Sequence, residues 1–149
     1  IMRSPHTGMD GEIVIIEAPE NLDPQQLLNL LDLEGCGAVV SFLGITRGFD
    51  NEAEIYRLEF DAWEDRLDAV LRRLANQAMR NFGVKRIAIS HRTGSVPAGE
   101  NIVSIHVGST HRKAAFRACE WLIDELKLQA PIWKKEVSSQ GEVWKAGLG

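Results

Sequence analysis

Residues 109–136 read STHRKAAFRACEWLIDELKLQAPIWKKE, and their pattern decides the fold of the second half of the chain. Ala115, Ala118, Cys119, Leu122 and Leu126 recur at helical spacing and give one apolar stripe. Ser109 or Thr110 can cap the helix start, because a side-chain oxygen there accepts from the unpaired N–H groups of the first turn. Lys127 falls in the last turn, where the helix dipole favours a cation. Pro131 ends the helix, since it lacks the N–H and pushes Ala130 out of the α region. Trp133 to Glu136 then continues as extended chain. Cationic residues therefore gather at both ends of one helix.

His111 and Lys127 are sixteen residues apart, roughly 24 Å along a helix at 1.5 Å per residue. One subunit cannot bring both ends to one small-molecule site. Either the two ends serve different purposes, or a second copy of the chain supplies one end of a shared site. The second arrangement is the one favoured here.

The first half is read by the same rules. Glu12 to Glu17 is β-branched and apolar and reads as a strand. Asp23-Pro24 supplies a cap and a first-turn proline for a helix over Gln25 to Glu34, with Gly35 as its stop. Gly37 to Leu43 is a continuous apolar run of strand length, expected to be buried on both faces. The glycine-punctuated loop after it carries Arg47. Ile55 to Phe60 is a strand. Asp61 and Glu64 have capping-box spacing for a helix that runs to Phe82 and stops at Gly83. Arg86 to His91 and Asn101 to Gly108 are strands joined by a tight connection through Gly94 and Pro97. Gln140-Gly141 marks a hairpin between Lys135–Ser139 and Glu142–Lys145. Strands and helices do not alternate regularly, so the class is α+β: one domain over 12–149, with a mostly antiparallel or mixed sheet and about three helices. Residues 1–11 read as a flexible N-terminus without the apolar stretch of a secretory signal.

With 149 residues, 44% hydrophobic and 26% charged, the composition is that of an ordinary globular domain. No apolar run approaches the ~20 residues that span a bilayer, and two cysteines make neither a disulfide framework nor a metal cluster. A reducing cytoplasmic setting is expected. The net charge of −4 argues against nucleic-acid binding. Residues 109–136 hold six of the 17 Lys/Arg and four of the 21 Asp/Glu, so a local net of +2 stands against −6 elsewhere. A confined anion such as a phosphate suits that distribution. Arg47, His111, Arg112, Lys127 and Lys134 are the candidate residues, and a lysine among further cations can serve as a general base or as a nucleophile on a carbonyl. His91 and His106, isolated in strand patterns, read as structural.

Several motifs, taken together, carry a resemblance. Gly37-Ala-Val-Val-Ser-Phe-Leu-Gly-Ile-Thr-Arg47 is followed by His91-Arg92-x-Gly94 and Gly99-Glu100. Thr110-His-Arg-x-x-Ala-Phe116 and Leu126-Lys-x-x-Ala-Pro-Ile-Trp-Lys-Lys-Glu136 complete the set. In order and spacing they resemble the large, catalytic subunits of molybdopterin synthase, the MoaE family. That resemblance implies an α/β-hammerhead-like fold and sulfurtransferase activity. Two sulfurs would pass from the thiocarboxylated C-terminus of a small ubiquitin-like subunit to cyclic pyranopterin monophosphate, making molybdopterin. It further implies a homodimer of large subunits within a heterotetramer, with no cofactor or metal of its own and no nucleic acid or membrane partner. It assigns catalysis to Lys127 and Lys134, and substrate binding to Arg47, Glu136, His111 and Arg112, the last two coming from the neighbouring large subunit. Two other readings compete. One is a dimeric module that binds a phosphorylated metabolite or a ubiquitin-like tail without turnover. The other is a thiol-dependent transferase using Cys36 or Cys119, which the apolar setting of Cys119 disfavours.

Overall fold

The computed structural model describes residues 7–8, 11–18, 20–62 and 64–146. In chain order its elements are β1 (Thr7–Gly8), β2 (Gly11–Ala18), α1 (Pro24–Asn29), β3 (Ala38–Ile45), β4 (Phe49–Asp50), β5 (Ala53–Ala62), α2 (Glu64–Phe82), β6 (Arg86–Arg92), β7 (Gly94–Pro97), β8 (Asn101–Ser109), α3 (Arg112–Gln129), β9 (Ile132–Ser138) and β10 (Gly141–Ala146). The class is α+β, as the irregular order of elements indicates. Of the N-terminal segment read as flexible, residues 1–6 and 9–10 lie outside the described residues. Thr7 and Gly8 pair antiparallel with Glu12 and Gly11.

One sheet has the order β1-β2-β6-β8-β3, with β2 and β6 parallel and the other pairs antiparallel. Alternation along its strands sends side chains to two faces. Ile13, Ile15, Ile87, Ile89 and Ile105 join the main apolar cluster with α2 and α3, whereas Val14 and Ala88 meet Leu27, Leu30 and Leu31 around α1. The second sheet, β10-β9-β5-β4 with β7 also on β5, closes over the main cluster through Leu58, Phe60, Val96 and Ile132. Each fully buried Leu or Ile in this cluster contributes about 1.5–3 kcal/mol.

The helical signals hold where chemistry fixes them. Asp23 Oδ1 accepts from the N–H groups of Gln25 and Gln26 at 3.0 and 3.2 Å, with Pro24 in the first turn. Gly83, at φ +69°, ends α2 while its N–H bonds to Met79 O. The α3 stripe predicted from spacing is the one that is buried, and Ala130 turns extended ahead of Pro131.

Four expectations are corrected. α1 ends at Asn29 rather than at Glu34, because Leu30 and Leu31 N–H bond three residues back and tighten the chain out of the helix. α3 is capped by His111 without a side-chain hydrogen bond, since Ser109 is still the last residue of β8. Asp61 lies within β5 and so does not cap α2; Trp63, the residue before that helix, is outside the described residues. Lastly, β3 is not buried on both faces. It is the edge strand of its sheet, and Val39, Leu43 and Ile45 are 37%, 40% and 50% exposed. The connection after His91 also contains a short strand, β7, that pairs with β5.

Candidate active site

Three chain segments converge on a cavity of about 490 Å3 between the two sheets: the end of β3 with the loop after it, the last turns of α3, and β9. Each segment is aimed by local chemistry. Gly44 sits opposite Val103, and a Cβ at Gly44 would come within 2.7 Å of Val103 Cγ1, so a larger residue there would have to displace the Val103 side chain. The pairing register slips just after it, Ile45 pairing with Asn101 as the last residue of β3, and Thr46 and Arg47 then leave the sheet. Thr46 is then clamped at both ends of its peptide unit. Its N–H donates to Glu100 O at 2.9 Å, and its carbonyl accepts from Gly99 N–H at 2.8 Å.

The turn that holds Thr46 is itself braced. Arg92, buried, donates through Nη1 to Glu100 Oε1 at 3.1 Å and through Nη2 to Ser95 O at 2.8 Å. Gly94 and Gly99 take φ values of +75° and +88° around it. The His-Arg-x-Gly and Gly-Glu motifs thus form a scaffold for the loop that carries Arg47.

Pro131 organises the other wall. Lys127 lies in the last turn of α3, the chain turns at Ala130–Pro131, and β9 brings back Lys134 and Glu136 on one face. Lys134 pairs with Phe60 and Glu136 with Leu58 in the β5–β9 ladder, and all four line the cavity. Lys135 alternates to the opposite face. There its Nζ meets Glu59 at 3.0 Å and Glu142 at 2.8 Å, and lies 5.4 Å from the Trp144 ring centroid. Hydrogen bonds to Glu142 and Glu59 raise the Lys135 pKa, and those from Arg57 and Lys135 hold Glu59 below the usual carboxylate range.

Arg47, Lys127, Lys134 and Glu136 therefore line one cavity, three cations to one carboxylate. His111 and Arg112 do not. They stand exposed at the other end of α3, so within one chain the structure separates them from the two lysines by the length of the helix.

Two further residues line the cavity: His91, which reads as structural from the sequence, and Thr46, which the sequence does not single out. His91 follows Ile87 and Ile89 on the inward face of β6 and forms part of the cavity wall. Its ring meets Phe60 edge-on, with centroids 5.4 Å apart, and burial pushes its pKa down to about 4. For His91 the signal was the alternation of β6, which says which face a residue takes but not that two sheets leave a gap there; Thr46 lies past the end of β3, where no alternation applies. His106, by contrast, is structural as expected: its Nδ1 and Nε2 meet Ser41 Oγ and Ser104 Oγ at 2.6 and 2.8 Å, and burial lowers its pKa. Cys119 is buried outside this cavity and burial pushes its thiol up to about 11, which leaves it protonated and a poor nucleophile. Among the described residues no group of three His, Cys, Asp or Glu could hold a metal ion, and no helix is long and apolar enough to cross a membrane.

The family model described as MoaE protein matches residues 18–129. The chain is 31% identical to the molybdopterin synthase catalytic subunit of Pyrococcus abyssi, over 92% of this chain and 93% of that one. Against the molybdopterin synthase catalytic subunit of Pseudomonas aeruginosa it is 38% identical, over 84% and 85%. The crystal structure of molybdopterin synthase from Staphylococcus aureus superposes with a TM-score of 0.83 at 30% identity, covering 87% of this chain and 95% of that one. A complex of subunits 1 and 2 of molybdopterin-converting factor from Helicobacter pylori superposes with a TM-score of 0.72 at 27% identity, covering 89% and 90%. The chain belongs to the MoaE protein family.

Proposed function

We propose that this chain is the catalytic subunit of a molybdopterin synthase. It is a sulfurtransferase that moves two sulfurs from the thiocarboxylated C-terminal glycine of a small ubiquitin-like subunit onto cyclic pyranopterin monophosphate. The observation that carries this reading is the convergence of Lys127 and Lys134, from opposite sides of Pro131, on one cavity that also receives Arg47. The relatives' shared name and the Helicobacter two-subunit complex support it.

In this reading Arg47, with His111 and Arg112 from a second copy of the chain, holds the substrate phosphate through charge-assisted hydrogen bonds. The partner's tail enters as extended chain, so its main chain can be gripped independently of sequence. Each thiocarboxylate delivers one sulfur, so two charged tails serve in turn. The sulfur bonds to a substrate carbon as a C–O bond there breaks, the oxygen leaving as water or with the phosphate. Hydrolysis of the resulting acyl–sulfur bond leaves a thiol on the substrate and a carboxylate on the tail. Lys127 acts at the transfer as base or nucleophile. Lys134 stabilises the anionic charge that develops, and Glu136 lies beside it on the same face of β9. Working as a homodimer flanked by two small subunits, the enzyme would act in the cytoplasm, a setting that suits its two free cysteines.

Single-turnover conversion of cyclic pyranopterin monophosphate with a thiocarboxylated small subunit tests the proposal. Wild type should give the dithiolene product, while Lys127→Ala and Lys134→Ala should bind the small subunit and give none. A wild-type chain that binds both ligands without forming product would make this a binding module with its lysines as anion clamps.

A further inference from the structure

The wall of the cavity carries two buried polar atoms with no protein partner among the described residues, His91 Nε2 and Thr46 Oγ1. Both residues are almost wholly enclosed, at 1% and 2% exposure. Their positions are fixed from behind. His91 Nδ1 lies 2.6 Å from Arg92 O, and a carbonyl only accepts, so Nδ1 carries the hydrogen of the neutral ring. Nε2 is left as a bare acceptor. The backbone N–H and carbonyl of Thr46 are both committed to the Gly99–Glu100 turn, so the hydroxyl alone is left to meet an occupant.

Buried polar atoms need partners, and an acceptor needs a donor. A phosphate oxygen or a thiocarboxylate, offering lone pairs only, cannot satisfy Nε2. Arg47, Lys127 and Lys134 suit those anions. Phe42, Leu58, Phe60 and Val103 line the same cavity, Phe60 edge-on to the His91 ring, and fit a flat, weakly polar body. We infer that His91 and Thr46 form a neutral recognition pair that takes the N–H-bearing edge of the substrate's heterocycle, the imidazole accepting from a ring or amino N–H and the hydroxyl bonding the neighbouring polar atom. This rests on the proposed function: the cations serve the anions, and the neutral pair serves the ring. The selectivity expected is strong, because an analogue without the donor leaves Nε2 buried and unpaired.

A peptide N–H of the entering tail offers the same chemistry, and the test separates the two sources. Dissociation constants are measured for wild type, Thr46→Val, His91→Leu and His91→Gln against cyclic pyranopterin monophosphate, inorganic phosphate and the small subunit. Thr46→Val and His91→Leu should weaken the pyranopterin by about tenfold or more while phosphate and the small subunit bind as to wild type. His91→Gln, which keeps an accepting oxygen, should recover part of the loss. Unchanged pyranopterin binding in Thr46→Val and His91→Leu overturns the inference. Loss of small-subunit binding instead assigns the pair to the tail and overturns it equally. Should His91→Leu fail to fold, the near-isosteric Thr46→Val decides alone. Failure of wild type to bind the pyranopterin at all refutes the proposed function, a result distinct from any change among the variants.

Discussion

Lys134 stands directly opposite Phe60 across the β5–β9 ladder, whereas Lys135, the next residue, stands opposite Glu59. One step along a strand thus separates a lysine in the cavity wall from a lysine held by two carboxylates on the other face. The burial of Ile132 in the main cluster marks that phase, with Lys134 two residues on along the same face. Helix α3 cannot continue past Pro131, and the chain enters β9 directly after it, at Ile132.

The two neighbouring lysines should therefore behave differently on replacement. Lys134→Ala should lower kcat by about 100-fold or more, the usual cost of losing a charge that stabilises a developing anion. Lys135→Ala should leave kcat within about threefold, because its ammonium faces Glu59 and Glu142 and not the substrate. Steady-state rates of the two variants, measured side by side, check this. Equal losses would mean that β9 is out of the register described.

Arg92 acts on the site at one remove. Its guanidinium holds Ser95 O and Glu100 Oε1, and the Glu100 carbonyl holds Thr46 next to Arg47. Replacing it with alanine removes hydrogen bonds of a buried charged group, each worth about 1.5–3 kcal/mol, so stability should fall by at least that much. Arg92→Lys cannot reproduce the fork and should recover only part of it. Denaturant midpoints give the stability. The KM for the pyranopterin should rise in both variants, because the Arg47 loop loses its brace.

How much of this was legible depends on how local the cause is. The Asp23 cap, the buried stripe on α3 and the break at Pro131 each follow from a few adjacent residues, and each was readable. The exposed face of β3 was not. Its apolar run is the same whether the strand lies inside a sheet or at the edge, and only the pairing order β1-β2-β6-β8-β3 decides. Lys127, Lys134 and Arg47 were readable as candidates from their charge and their motifs. That His91 and Thr46 share their cavity was not, since it depends on how two sheets meet, a relation with no counterpart in spacing along the chain.

Acid should reveal the burial of His91. Its pKa, about 4 in the folded protein, lies below the ordinary 6.5, with desolvation as the main cause. The unfolded chain therefore binds the proton that the folded one refuses between those values. Stability is full above about pH 6.5 and falls as the pH drops toward 4, by up to about 1.4 kcal/mol per unit from this residue. His106, also lowered by burial, adds to the slope. Unfolding free energies of wild type and His91→Gln from pH 7 to 4 isolate the His91 share, and the variant should show the shallower decline. Parallel curves would mean that the ring is solvated.

The placement of His111 and Arg112 at the far end of α3 gives the sharpest test of a shared site. Lys127→Ala and Arg112→Ala chains are each expected to be inactive alone. Suppose that each site takes Lys127 from one copy and Arg112 from the other. A mixed dimer then gathers both lesions into one site and leaves the second wholly wild type. Random re-association makes about half the dimers mixed, each with one good site of two, so activity should return to about a quarter of wild type. Sites built within single chains predict no recovery at all, since every site then carries one lesion. Unfolding and refolding the two variants together, then assaying turnover against the separately refolded controls, distinguishes the two. Recovery would establish that α3 serves two sites at once, its C-terminal lysine in one and its N-terminal His-Arg pair in the other.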